Sequence, residues 1–143
     1  MKPVSQSLSF CLRLARAHAA LLRRFDGRLG TLHGLSFGDF LVLLHLSRAP
    51  GGKLRRIDLA GQIGVTASAV TRTLIPLERI GLVTRQRDAH DARVGYAVLT
   101  KAGWRLLEDS LESAELISQD AIPPENVRRP SALSELLAQL EVS

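Results

Sequence analysis

The chain has a single cysteine, Cys11, in 143 residues, so no disulfide can close within it and a reducing compartment is its natural setting. Long apolar runs are missing too: the longest, residues 40–46, contains His45 and is far too short to span a bilayer. Arg13 and Arg16 interrupt the apolar N-terminal stretch that a secretory signal needs, so the expectation is a cytoplasmic protein without membrane association. The four histidines are scattered. No paired carboxylates, phosphate-cradling Gly loop or metal-ligand spacing accompanies them, which argues against an enzyme, a metal site and a cofactor. Low-complexity tracts are also absent. With 45% hydrophobic and 23% charged residues, there is material for one folded core but little for a second independent domain.

What is present in excess is positive charge, and it is unevenly placed. Residues 1–50 hold 7 basic and 2 acidic side chains, residues 51–101 hold 9 and 4, and residues 102–143 hold 3 and 8. The first two thirds can face a polyanion, while the acidic last third points elsewhere. Charge alone does not separate a nucleic-acid surface from a merely soluble one.

Hydrophobic periodicity supplies the organisation. From Leu8, residues of an apolar stripe recur at Cys11, Leu12, Ala15, His18, Ala19, Leu22, Phe25 and Leu29, the spacing of a long helix. Leu14, Ala17 and Leu21 add a second strip, so this helix wants two partners, one of which can belong to another chain. Ser36 and Asp39 are spaced as a capping box for a second helix, with Leu35 and Phe40 as its staple. That helix is apolar nearly all round, a buried centre that ends before Pro50-Gly51-Gly52.

After a short extended piece at Lys53-Leu54, a helix is expected over residues 56–63, closed by Gly64. Another, capped by Thr66 and stopped by Gly81, carries Ala69, Val70, Leu74 and Leu77. Two short helices about a tight turn make a helix-turn-helix. Arg55 is not the residue type expected at a helix start, and Pro76 removes one hydrogen bond inside the second helix. The period then falls to two over residues 82–87 and 93–99, with the polar Asp88-Ala89-His90-Asp91-Ala92 between them: a β-hairpin, or wing. Thr100 caps a long helix through Trp104, Leu106, Leu107, Leu111 and Leu116. Pro123-Pro124 break it, and after Pro130 a last helix bears Leu133, Leu136, Leu137 and Leu140.

Several of these pieces, in this order and spacing, resemble the MarR (multiple antibiotic resistance regulator) family over residues 35–107. They are Gly34-Leu35-Ser36, Asp58-Leu59-Ala60, Val70-Thr71-Arg72, Leu77-Glu78-Arg79-Ile80-Gly81-Leu82-Val83, Asp91-Ala92-Arg93 and Leu99-Thr100-Lys101-Ala102-Gly103. The outer helices match in position and apolar character only. The resemblance implies a mainly α fold with a small β-wing, a winged helix-turn-helix flanked by long N- and C-terminal dimerisation helices. Its parts are an N-terminal helix and linker (1–34), a DNA-binding lobe (35–101) and C-terminal helices (102–143), intertwined in one domain. The function implied is that of a DNA-binding transcriptional regulator, a repressor, acting as a homodimer on a pseudo-palindromic operator in double-stranded DNA.

The residues themselves suit that role. The N-terminal end of a recognition helix must offer short polar side chains and a base-reading cation, because that end reaches the floor of the major groove. Ser68, Ala69, Thr71 and Arg72 fit: the hydroxyls for phosphates or base edges, Ala69 for a thymine methyl, Arg72 for a guanine. Thr66 reads as a cap instead. In the family, the aspartate of the wing pair orients an arginine into the minor groove, which implies those roles for Asp91 and Arg93. Ala92 stands where many relatives carry a second basic residue, and His90 reads as a solvated turn residue. Arg85 and Arg87 alternate on the first wing strand, and with Arg55 and Arg56 they are candidate phosphate contacts.

Many family members release DNA when a small, often phenolic molecule enters a crevice between the dimer helices and the DNA-binding lobe. Arg16, His18, His33 and Trp104 are the residues for such an effector site here, although each also suits a core or surface role. One branch of the family senses hydroperoxides through a cysteine of the first helix. Cys11 is displaced by two residues from that position, about 200° around the helix, and reads as a core thiol. The competing readings are a redox-sensing regulator that uses Cys11 and a winged helix that binds protein. Arg72 and Arg93 at groove-reading positions argue against the latter.

Overall fold

The structure is a computed structural model in which residues 1–127 and 132–142 are described. Helix α1 (Gln6–His33) starts at Ser5, whose hydroxyl accepts the Leu8 N–H at 3.2 Å, and stops at Gly34. Phe25 and Leu29 enter the core, but no residue of α1 before Phe25 is buried. Cys11 is therefore exposed, not the core thiol expected from the apolar stripe: among the described residues nothing buries the N-terminal part of that stripe.

Helix α2 (Phe37–Arg48) is the centre of the molecule. The expected capping box is formed, with Ser36 accepting the Asp39 N–H at 3.0 Å and Asp39 accepting the Ser36 N–H at 2.9 Å. Leu35 and Phe40 are both buried beside it, as a hydrophobic staple requires. Phe40, Val42, Leu43 and Leu46 are buried along its length, and α1, the two helices of the turn, the long helix after the wing and the sheet all pack on it.

A single 3₁₀ turn, Pro50–Gly52, leads into β1 (Lys53–Arg55), and the helix-turn-helix follows as α3 (Arg56–Ile63) and α4 (Ala67–Arg79). Gly64 makes the turn at φ 80°, a conformation that costs other residues a Cβ clash. Arg55 occupies the N-cap of α3 but offers it no side-chain bond. Its guanidinium instead pairs with Asp58 at 2.8 Å, an ion pair in place of a cap. Pro76 lies inside α4, which continues past it to Arg79. Beyond its end, Gly81 at φ 81° lets the Leu82 N–H return to the Leu77 carbonyl at 3.0 Å, closing the helix in a Schellman motif.

Strands β2 (Val83–Arg87) and β3 (Gly95–Leu99) form the wing hairpin, and β3 is the central strand of an antiparallel sheet ordered β1-β3-β2. β2 reaches Arg87 as the alternation implied but begins one residue later, where the Leu82 N–H is taken by the Leu77 carbonyl, and β3 begins two residues later, at Gly95, where the Arg93 N–H is taken by the Asp91 carboxylate. Helix α5 (Lys101–Ala121) begins at Thr100, whose hydroxyl accepts the Gly103 N–H at 3.1 Å and donates to the Gly81 carbonyl at 2.6 Å. One side chain thus joins the end of the helix-turn-helix to the start of α5. Gly103 has to be glycine: a Cβ there would collide with the Leu82 carbonyl and the Leu99 side chain. Helix α5 runs antiparallel to α1, tied by Arg28 to Asp120 at 2.8 Å and by His33 to Ser113 at 2.8 Å.

Pro123 and Pro124 end α5 as expected. They are followed by α6 (Pro124–Val127) and α7 (Ala132–Glu141), while Pro130 lies outside the described residues. Leu133, Leu137 and Leu140 of α7 are exposed, as are Leu8, Phe10 and Leu12 of α1. Among the described residues, no single helix is long and apolar enough to cross a membrane.

Candidate nucleic-acid interface

Helix α4 buries Val70, Leu74 and Leu77. The positions two residues from Val70 on either side therefore project outwards: Ser68 and Arg72 are exposed one helical turn apart, flanked by half-buried Ala69 and Thr71. Thr66 serves as the cap, accepting the Ala69 N–H at 3.1 Å. Thr71 is more constrained than a free contact residue. Its hydroxyl donates to the Ala67 carbonyl at 3.0 Å and accepts from Arg56 Nη1 at 2.7 Å. With its hydrogen used, Thr71 can only accept a further bond, and it steers Arg56 of α3 toward the recognition helix.

On the wing, Val83 pairs with Leu99, Arg85 with Ala97 and Arg87 with Gly95. Val83, Ala97 and Leu99 are buried, so Arg85 and Arg87 share the face of the hairpin that turns toward the helices. Arg85 Nε donates to Glu78 Oε1 of α4 at 2.6 Å. A groove of about 720 Å³ opens between wing and helix-turn-helix, its walls carrying Arg55, Arg56, Arg85, Arg87 and Arg93 over apolar Ile57 and Leu74. Such a cleft focuses positive potential.

The wing tip is built by two carboxylates. Asp88 Oδ1 accepts the N–H groups of His90 at 2.8 Å and Asp91 at 3.1 Å, and its Oδ2 accepts the Tyr96 hydroxyl at 2.9 Å. Asp91 Oδ1 in turn accepts the Arg93 N–H at 3.0 Å and Arg93 Nε at 3.2 Å. The Arg93 side chain is nonetheless 92% exposed. The N–H of His90, the Tyr96 hydroxyl and the N–H of Asp91 hold the Asp88 carboxyl below its ordinary range. The bond to Asp88 raises the Tyr96 phenol above its own. Lys53 Nζ of β1 stands 4.9 Å from the centre of the Tyr96 ring.

The sequence reading missed Glu78, Asp88, Lys53 and Tyr96. Asp88 and Tyr96 are eight residues apart and meet only through the hairpin register, so the signal was the register itself.

The four residues considered for an effector do not converge within one protomer. Arg16 and His18 are exposed on the N-terminal half of α1. At roughly 1.5 Å of rise per residue, His33 lies about 25 Å farther along the helix than Arg16, and it is engaged with Ser113. Trp104 covers Gly52 at the start of α5. A separate hollow of about 380 Å³ lies between α1 and α5, lined by Arg23, Arg24, Gly27, Arg28, Ile117 and Asp120. Among the described residues no group of His, Cys, Asp or Glu could hold a metal ion.

Residues 35–94 match the model of the MarR family. The chain is 27% identical over 88 residues to an uncharacterized HTH-type transcriptional regulator, YdgJ of Bacillus subtilis (strain 168); the match covers 62% of this chain and 54%, about half, of that protein. Its fold is that of Sco3205, a MarR family transcriptional regulator from Streptomyces coelicolor crystallised in complex with DNA. The TM-score is 0.81 at 21% identity, covering 98% of this chain and 86% of that one. Bordetella bronchiseptica BpsR, whose DNA binding is regulated by 6-hydroxynicotinic acid, superposes with a TM-score of 0.83 at 22% identity over 99% of both chains.

Proposed function

We propose that this chain is a MarR family member, a sequence-specific DNA-binding transcriptional regulator of the cytoplasm, a reading supported by the match of residues 35–94 to the family's model and by the shared fold. Helix α4 enters the major groove with Ser68, Ala69 and Arg72 toward the bases. Arg93 enters the flanking minor groove, and Arg56, Arg85 and Arg87 follow the phosphates. The observation that carries this reading is the wing tip: Asp91 fixes the backbone and Nε of Arg93 while the rest of its guanidinium faces solvent. An arginine held at its base and free at its end is suited to a narrow groove of negative potential.

The protein acts as a homodimer, which doubles the footprint and matches a pseudo-palindromic operator. The exposed leucines of α7 and the exposed Leu8, Phe10 and Leu12 of α1 support this, being apolar faces that no described residue of the chain covers. In the dimer, residues 1–34 and 102–143 intertwine and residues 35–101 form the reading lobe. A small aromatic or phenolic molecule acts as effector by binding the DNA-competent and DNA-incompetent forms unequally. BpsR supports this by its regulation.

Selection of binding sites from random double-stranded DNA tests the reading. An inverted repeat is expected, with Arg72→Ala relaxing one base position in each half-site and Arg93→Ala weakening binding without loss of fold. Recovery of no DNA sequence by the purified dimer would refute it.

A further inference from the structure

The wing tip has no ladder of its own. Between Arg87 and Gly95 the chain is held by the Asp88 N–H to the Val94 carbonyl at 2.9 Å, the Val94 N–H to the Asp91 carbonyl at 3.0 Å, and the two aspartates. Asp88 grips the tip with one oxygen, and the other oxygen belongs to Tyr96. A carboxylate held on one oxygen alone can pivot. Tyr96 supplies the second point, and it is itself firmly placed: its backbone lies in the central strand between Arg55 and Gln86, and Lys53 rests against its ring. The connection runs from sheet to ring, to Asp88, to the N–H of Asp91, and from the Asp91 carboxylate to Arg93.

Resting on the regulator reading above, we propose that Tyr96 is the positioning residue of the wing, which by bonding Asp88 fixes the tip that presents Arg93 and so sets the base preference at the outer edges of the operator. The phenol is not itself a phosphate ligand. It has one hydrogen, that hydrogen is donated to Asp88, and a phosphate oxygen has none to give in return. Its influence on DNA therefore passes through the tip.

The chain has one tyrosine, which makes the tie measurable without DNA. In wild type, tyrosinate absorbance should appear at a higher pH than in a free tyrosine, and Asp88→Asn should return it toward the ordinary value of about 10. With the selected operator, Tyr96→Phe and Asp88→Asn are each expected to weaken binding about three- to tenfold, as loss of one charge-assisted hydrogen bond permits. The double variant should be no weaker than the worse single, because both weaken the same contact: Tyr96→Phe removes its hydrogen and Asp88→Asn its charge. Base preference should flatten only at the outer positions under the wing, leaving those under α4 untouched; a general loss of fold would blur both. Unfolding temperature, checked in parallel, should be nearly unchanged for the isosteric Tyr96→Phe.

Wild type that selects an operator, with Tyr96→Phe matching it in affinity and outer-base preference, overturns this proposal alone. So does a tyrosine titration unmoved by Asp88→Asn. Wild type that selects no DNA overturns the regulator reading and the proposal with it.

Discussion

Arg85 of the wing and Glu78 of α4 form an ion pair of 2.6 Å that bridges the two elements proposed above to enter different grooves. Glu78 is the better covered partner, with 24% of its side chain exposed against 69% for Arg85. A carboxylate on this basic face repels phosphate while it holds one of the cations that would attract it.

Glu78→Gln is therefore expected to strengthen binding to random DNA and to steepen its salt dependence by about one unit of slope, as Arg85 becomes free to neutralise a phosphate. Stability should change by less than about 1 kcal/mol, the usual scale for an ion pair open to solvent. Fluorescence anisotropy with unrelated duplexes across a salt series reads both. An unchanged slope would mean that Arg85 does not reach the backbone.

At Gly103 helix α5 approaches the Leu82 carbonyl and the Leu99 side chain too closely to admit a Cβ. Gly103→Ala must push α5 away from the Leu82 carbonyl and is expected to cost about 1–3 kcal/mol, the range for overpacking. Thermal unfolding should show a drop of several degrees. An alanine variant as stable as wild type would show that the junction yields.

Replacing Leu133 and Leu137 together by aspartate should leave the protomer folded, because both side chains are exposed in the single chain. If α7 covers the partner, the pair should convert a dimer to a monomer in sedimentation and weaken operator binding steeply. A variant that remains dimeric would place the interface elsewhere.

The Asp88 carboxyl is held low by the N–H of His90 first, then by the Tyr96 hydroxyl and the N–H of Asp91. A depressed carboxyl contributes to stability above its unfolded value of about 4, and that contribution is lost as pH falls through the lower folded value. The wing tip should therefore be insensitive to pH from neutrality down to about 4 and loosen only in stronger acid. Carbon NMR of the Asp88 carboxyl should show a midpoint below that of an unstructured aspartate, moving upward in Tyr96→Phe. A midpoint at the ordinary value would contradict the hydrogen bonds.

Much of this architecture could be read before any coordinates. Ser36 with Asp39, Gly64 with Thr66, and Gly81 are local devices whose effect depends on a few adjacent residues, and each acts in the structure as its spacing implied. Burial was harder. The stripe through Cys11 and Leu12 has the periodicity of a core face, yet a pattern cannot tell a face covered by its own chain from one left for another; here both residues are exposed.

The first wing strand ended at Arg87 as its alternation implied, but the second began late, at Gly95, because the Asp91 carboxylate draws the Arg93 N–H away from the ladder. The Arg72 and Arg93 positions were legible, but the supports around them, Glu78, Asp88 and Tyr96, were not. Their partners lie across the hairpin or on a neighbouring helix, and single-sequence spacing carries no register.

The central claim is that α4 and the wing read DNA separately, Arg72 at a base and Arg93 in the adjoining groove. Quantitative binding of Arg72→Ala, Arg93→Ala and wild type to the selected operator and to every single-base variant of it tests this most directly. The expected result is a loss of about 1–3 kcal/mol for Arg72→Ala with indifference at one inner position per half-site. For Arg93→Ala the loss should be comparable, with reduced salt dependence and indifference confined to the outer positions. Wild-type affinity and base preference in both variants would contradict the assignment.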